Sequence, residues 1–259
     1  MKKNLTLGVI AGLGCLILLG QWGIVQASEI KVLSAVAMKA ALDDLGPEFE
    51  RKTGNKLVIS YATAGVIKDR IQGGEMVDLT ILPRPAMEPL VTQGKIVSDT
   101  VAIFATSAVS IAVRTGAPKP DISTVDAFKR AMLAAKSVSY ADPAKGGGSG
   151  IHFANVLARL GIAEEMKPKT KLVPGSESVQ LVARGEAEIA AVNTPVILGE
   201  PGVDLVGPLP AALQNTVDFV FFVGVGANAK EPQEAKALLK YLLAPDAARA
   251  IKAKGLEPG

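Results

Sequence analysis

Short apolar runs alternate with longer amphipathic stretches from residue 30 onward, the cadence of a chain that passes repeatedly from strand to helix and back. Residues 30–33 read as a strand, 38–52 as a helix interrupted or kinked by Pro47, 57–61 as a second strand, 65–72 as a helix closed by Gly73-Gly74, and 77–82 as a third strand. A short helix over 86–93 and a strand over 109–113 follow. Arg114-Thr115-Gly116-Ala117-Pro118 then reads as a crossing linker. A second series opens at the capping cluster Asp121-Ile122-Ser123-Thr124, with a helix over 125–136, a strand over 137–140, a glycine loop at 145–150 and a helix over 151–160. A strand at 170–173, a helix at 178–184 and a strand at 188–192 complete it. After Pro-rich connectors, a long apolar strand over 217–225 and helices over 231–243 and 245–254 finish the chain.

This pattern predicts an α/β fold of two lobes, two α/β sheets joined by two crossing strands. Lobe 1 would combine residues 28–113 and 217–259, and lobe 2 would hold 114–216. Open α/β sheets bind ligands beyond the carboxyl ends of their strands, so facing lobes imply a ligand cleft between them. Residues 1–27 follow another rule. Lys2 and Lys3 precede an uncharged, mostly apolar run over 5–20, and Val25-Gln26-Ala27 offers small residues for cleavage. These are the parts of a signal peptide, and the mature chain would begin near Ser28 in the periplasm. The run is shorter than the roughly 20 residues of a bilayer span.

Cys15, inside that segment, is the only cysteine, so the mature chain would carry no thiol, no disulfide and no cysteine nucleophile. His152 is the only histidine, which removes most zinc and iron geometries. No metal site and no cofactor is expected. Without Lys2 and Lys3, the 28 basic residues fall to 26 against 25 acidic ones, a near-balance that argues against a nucleic-acid partner. Aromatic residues are only 4% of the chain. Ala, Val, Leu and Ile must therefore build the core, as suits helices packed on parallel strands.

Four loops end a strand and open a helix with small or hydroxyl residues: Ser34-Ala35-Val36-Ala37-Met38, Ala62-Thr63-Ala64-Gly65, Gly148-Ser149-Gly150-Ile151 and Gly175-Ser176-Glu177-Ser178. Each exposes unpaired backbone N–H groups at the positive end of a helix dipole, and four converging starts describe an anion site. The glycine loop is not a nucleotide loop, since no Lys-Ser or Lys-Thr pair follows its last glycine. Arg84, between Pro83 and Pro85 at a strand end, can grip a carboxylate in two-point fashion. Asn193 ends the last strand of the second series with an amide that both donates and accepts. His152 falls in the first turn of the helix after the glycine loop, where the dipole favours its neutral form. Lys39, Lys68 and Lys145 read as solvated lysines near these loops.

Beyond these local features, the chain resembles the periplasmic molybdate-binding family of ABC importers, two-lobed type II solute-binding proteins. The resemblance is carried by Leu33-Ser34-Ala35-Val36-Ala37-Met38-Lys39-Ala40-Ala41-Leu42, Phe49-Glu50-Arg51-Lys52-Thr53-Gly54, Tyr61-Ala62-Thr63-Ala64-Gly65, Gly74-Glu75-Met76-Val77-Asp78-Leu79, Asp142-Pro143, Ser149-Gly150-Ile151 and Ala244-Pro245-Asp246-Ala247-Ala248. Where that family holds its oxyanion with serine hydroxyls this chain has Ala37 and Ala64, and where it has a tyrosine this chain has Asn193. The runs Val113–Thr124 and Gly185-Glu186-Ala187-Glu188-Ile189 are closer to a branch of importer-like proteins that also contains a periplasmic aconitate isomerase. The resemblance implies a monomeric binding protein for a small anion, an organic carboxylate before molybdate or tungstate, delivering to an inner-membrane ABC permease. Its alternative is allylic proton transfer between trans- and cis-aconitate, with His152 or Glu177 as proton carrier. The loops and the resemblance together give Ala37, Met38, Thr63, Ala64, Arg84, Ser149, Gly150, Val179 and Asn193 as the expected ligand contacts.

Overall fold

The computed structural model describes residues 27–175 and 177–259. The expected signal peptide therefore falls, but for its last residue, outside the described residues, as does Ser176. In chain order the elements are β1 (Glu29–Ala35), α1 (Lys39–Thr53), β2 (Lys56–Ala62), α2 (Ala64–Gln72), β3 (Leu79–Pro83), α3 (Arg84–Thr92), β4 (Ala102–Thr106) and β5 (Val109–Arg114). Then come α4 (Val125–Ala134), β6 (Val138–Ala141), α5 (Gly148–Arg159), α6 (Ala163–Met166), β7 (Thr170–Val173), α7 (Glu177–Ala183), β8 (Ile189–Asn193), α8 (Thr194–Leu198) and β9 (Val203–Pro208). The chain ends with β10 (Val220–Val225), α9 (Pro232–Leu242), α10 (Pro245–Ala253) and β11 (Glu257–Pro258).

Two sheets result, in the orders β11-β4-β10-β3-β1-β2 and β7-β6-β8-β5-β9. Within them β3-β1-β2 and β7-β6-β8 are parallel, while β10 and β5 run antiparallel to their neighbours. The central strands are the apolar ones: Ile30, Val32 and Leu33 in β1 and Ile189 to Val192 in β8 are buried, as strands inside a covered sheet are, whereas the edge strands β2 and β7 are partly exposed. Local signals fix the ends of the helices between them. The Thr63 hydroxyl accepts from the Val66 N–H at the start of α2, Thr124 caps α4 in the same way, and Gly54 closes α1 at φ 77°. Proline does not break α1, which runs through Pro47 at the loss of one backbone bond.

The expected lobe boundary needs one correction. β5 pairs with β8 and β9 and so belongs to the second sheet, not to residues 28–113 of the first. The chain crosses earlier, between Thr106 and Val109, and returns before β10. At the crossing the two passages lie side by side: the Ser107 N–H donates to the Phe219 carbonyl at 3.0 Å, and the Gln214 amide donates to the Val109 carbonyl at 2.7 Å. Both ends of the chain do build the first lobe. Buried Asp78 receives the Lys31 N–H of β1 at 2.7 Å and the Lys230 and Glu231 N–H groups before α9 at 2.6 and 2.9 Å.

β4, β9 and β11 were not expected. β9 reads Val-Asp-Leu-Val-Gly-Pro, turn chemistry that an edge strand tolerates because one side needs no ladder. Among the described residues no helix is long and apolar enough to cross a membrane.

Candidate ligand-binding site

Six parallel strands point their carboxyl ends into the gap between the lobes. Immediately beyond those ends lies a cavity of about 40 Å³. From the first lobe it is lined by Ala35, Val36 and Ala37 after β1, Thr63 and Ala64 after β2, and Pro83 at the end of β3. The second lobe contributes Ala141 after β6, Gly147, Gly148 and Ser149 at the start of α5, Gly175 after β7, and Val192 and Asn193 at the end of β8. Phe219 and Phe221 close it from the returning chain. A volume of that size holds on the order of a few waters, or one carboxylate-sized group. No charged side chain lines it among the described residues; its polar side chains are Thr63, Ser149 and Asn193.

What the site can offer an anion is therefore the start of two helices. α2 and α5 both begin at the cavity, and α5 has no side-chain cap, so the amides of its first turn have no intrahelical acceptor. Glycine allows the close approach: a Cβ on Gly150 would lie 1.7 Å from the Ala141 carbonyl oxygen, so only glycine lets α5 start this near β6. Buried Asn193 donates from its amide to the Ser107 hydroxyl at 3.3 Å, which fixes its orientation at the hinge. The lobes also touch directly over the cavity. The Thr63 hydroxyl donates to the Lys145 carbonyl at 3.0 Å, and the Gly65 N–H donates to the Gly146 carbonyl at 3.3 Å.

The expected contacts divide on this geometry. Ala37, Thr63, Ala64, Ser149 and Asn193 meet at one cavity. Met38 and Val179 are fully buried in the lobe cores, and Gly150 is packed on Ala141 behind the wall. Arg84 does not reach the cavity. Its Nη1 donates to Glu88 at 3.0 Å on its own helix, and its guanidinium lies 4.9 Å from the Phe222 ring centroid. Phe221 lines the cavity and Phe222, its neighbour in a strand, faces the other way, so Arg84 is drawn to the outer side of the sheet. The expectation of a carboxylate grip by Arg84 is corrected accordingly.

Two larger cavities flank the small one. On one side, about 300 Å³ is lined by Lys68, His152, Asn155, Asn215 and Asp218 among others. On the other, about 310 Å³ is lined by Tyr61, Thr63, Lys145 and Glu177. His152 and Glu177, the two expected proton carriers, thus lie on opposite flanks. The His152 Nε2 donates to the Leu213 carbonyl at 2.8 Å, and the ring meets Phe219 edge-on at 5.5 Å. Burial pushes its pKa below the ordinary 6.5, opposed by the Leu213 hydrogen bond. The neutral ring then keeps Nδ1 as an open acceptor. The sequence pattern gave no sign of Asn155, Asn215, Asp218 and Phe219, and Lys68, expected to be solvated, lines this cavity instead. His152 and Asn155 stand three residues apart and so on one helix face.

Comparison with known proteins places this architecture. Residues 30–257 match the family described as bacterial extracellular solute-binding protein. The chain belongs to that family. It is 33% identical over 237 residues to an aconitate isomerase from a Pseudomonas species, covering 89% of this chain and 88% of that one. It is 28% identical over 240 residues to the molybdate-binding protein ModA of Azotobacter vinelandii, covering 89% and 90%. A solved structure of an Azotobacter vinelandii periplasmic molybdate-binding protein superposes with a TM-score of 0.76 at 19% identity, covering 89% of this chain and 99% of that one. As a member of this family the chain is a solute-binding protein of the two-lobed type II fold, as its sheets show.

Proposed function

We propose that this protein is an exported, periplasmic component of an ABC importer that closes its lobes over a small organic carboxylate and presents the closed form to an inner-membrane permease. The observation that carries this reading is the uncharged cavity at the convergence of six strand ends, where α2 and α5 begin. Backbone N–H groups and helix dipoles suit a delocalised anion, and their strength grows as closure expels water. The missing hydroxyls at Ala37 and Ala64 disfavour a tetrahedral metal oxyanion, which would leave oxygens unpaired at about 1–3 kcal/mol each. Titration calorimetry of the mature protein with a panel of carboxylates and with molybdate tests the reading. Binding of a carboxylate with molybdate inert supports it, and the reverse order of affinity overturns it.

A second reading is favoured by the 33% identity to an aconitate isomerase and by the neutral imidazole of His152 beside the cavity. In that reading a base removes a proton next to one carboxylate and returns it at the far end of the allylic system, giving the cis isomer from the trans. Proton NMR of trans-aconitate with pure protein decides between them. Turnover that disappears in His152→Gln establishes catalysis through His152, and turnover that disappears in Glu177→Gln alone moves the proton carrier to the other flank. No turnover alongside tight binding leaves transport.

A further inference from the structure

The small cavity accounts for one carboxylate, but the cleft continues past it. The 300 Å³ cavity shares Ala64, Pro83, Gly148 and Phe219 with the small one, so a ligand anchored in the first has a direct way into the second. Its walls come from both lobes. α2 brings Ala64, Gly65 and Lys68, spaced so that all three share one helix face, and α5 brings Ile151, His152 and Asn155.

Lys68 is the cation of this cavity. Its side chain is two-thirds covered, with 33% exposed, and its nearest carboxylate, that of Asp69, stands 3.8 Å away and is itself 73% exposed. Asp218, the cavity's own carboxylate, accepts from the Asn215 amide and makes no ion pair with Lys68 among the described residues. A partly desolvated ammonium with so weak a partner favours an anion between the lobes. His152 and Asn155 add a neutral imidazole and an amide to the same wall.

We propose that this second cavity receives a second carboxylate of the same ligand molecule, with Lys68 as its counter-ion, so that the protein selects di- and tricarboxylates over monocarboxylates. The proposal rests on the carboxylate reading above and adds the residue that sets its specificity.

Titration calorimetry with propionate and with tricarballylate, on the wild type, Lys68→Met and Lys68→Arg, tests it. The wild type should bind tricarballylate at least about tenfold more tightly than propionate, as one charge-assisted contact provides. Lys68→Met should remove that preference while leaving propionate binding unchanged, and Lys68→Arg should keep most of it. Matching thermal melts show that the variants are folded. Equal wild-type affinity for the two acids overturns the second subsite while the carboxylate reading stands. An undiminished preference in Lys68→Met, or a loss of both acids together, overturns the role of Lys68. A wild type that binds molybdate and neither acid overturns the carboxylate reading and this proposal with it.

Discussion

Gly65 and Gly146 meet backbone to backbone across the cleft: the Gly65 N–H donates to the Gly146 carbonyl at 3.3 Å, and a Cβ on either would stand 2.8 Å from the Cα of the other. Gly146 also sits at φ 70°, where side chains are strained. With the Thr63–Lys145 hydrogen bond, this contact ties the two lobes together over the cavity, as a latch would. Side chains here would hold the lobes apart and let water into the site.

Gly65→Ala should therefore weaken ligand binding by at least about tenfold while leaving the unliganded protein's melting temperature within a few degrees of wild type. Calorimetry and thermal melts measure the two effects separately. A variant that binds as tightly as wild type shows that the latch is not needed for closure.

Ala37 and Ala64 stand where the resemblance places hydroxyls, and both line the small cavity. Ala37→Ser with Ala64→Ser should raise molybdate affinity by about tenfold per hydroxyl, since each new donor meets a charged oxygen. Tungstate competition reads this out. No gain would mean that the amide geometry already excludes a tetrahedral anion.

His152 makes stability depend on pH. Burial lowers its folded pKa below the ordinary 6.5, so between those two values the unfolded chain binds the proton that the folded chain refuses. The stability linked to a neutral His152 is complete above pH 6.5 and is lost as pH falls through the window below it. Urea melts of wild type and His152→Gln from pH 8 to 5 should show a larger acid-side decline for the wild type. Parallel declines would show that the imidazole titrates normally.

Asp78 accepts three backbone N–H groups from β1 and from the segment before α9, which joins the two ends of the chain within one lobe. Asp78→Ala leaves those donors unpaired and should cost at least about 3 kcal/mol, read from urea denaturation. A loss below about 1 kcal/mol would mean that water replaces the carboxylate.

What the sequence determined by itself is the order of strands and helices, the two-lobed plan and part of the small cavity. The apolar positions of β1, β6 and β8 and the threonine caps at 63 and 124 are local signals, and Ala37, Thr63, Ala64, Ser149 and Asn193 lie at strand ends or in the loops that open helices. Such features are legible because their causes lie within a few residues of one another. Tertiary structure alone decided where the chain crosses, which way Arg84 turns and which flank Lys68 serves. β5 gives no local sign of the sheet it joins, since either sheet would bury it, and pairing with β8 settles the matter. Arg84 follows Phe222, which lies more than a hundred residues away in sequence, and Lys68 gains its cavity only when α5 and the returning chain close around it. Backbone amides at strand ends are fixed by local geometry, whereas the partners of long charged side chains are fixed by whatever the fold brings within their reach.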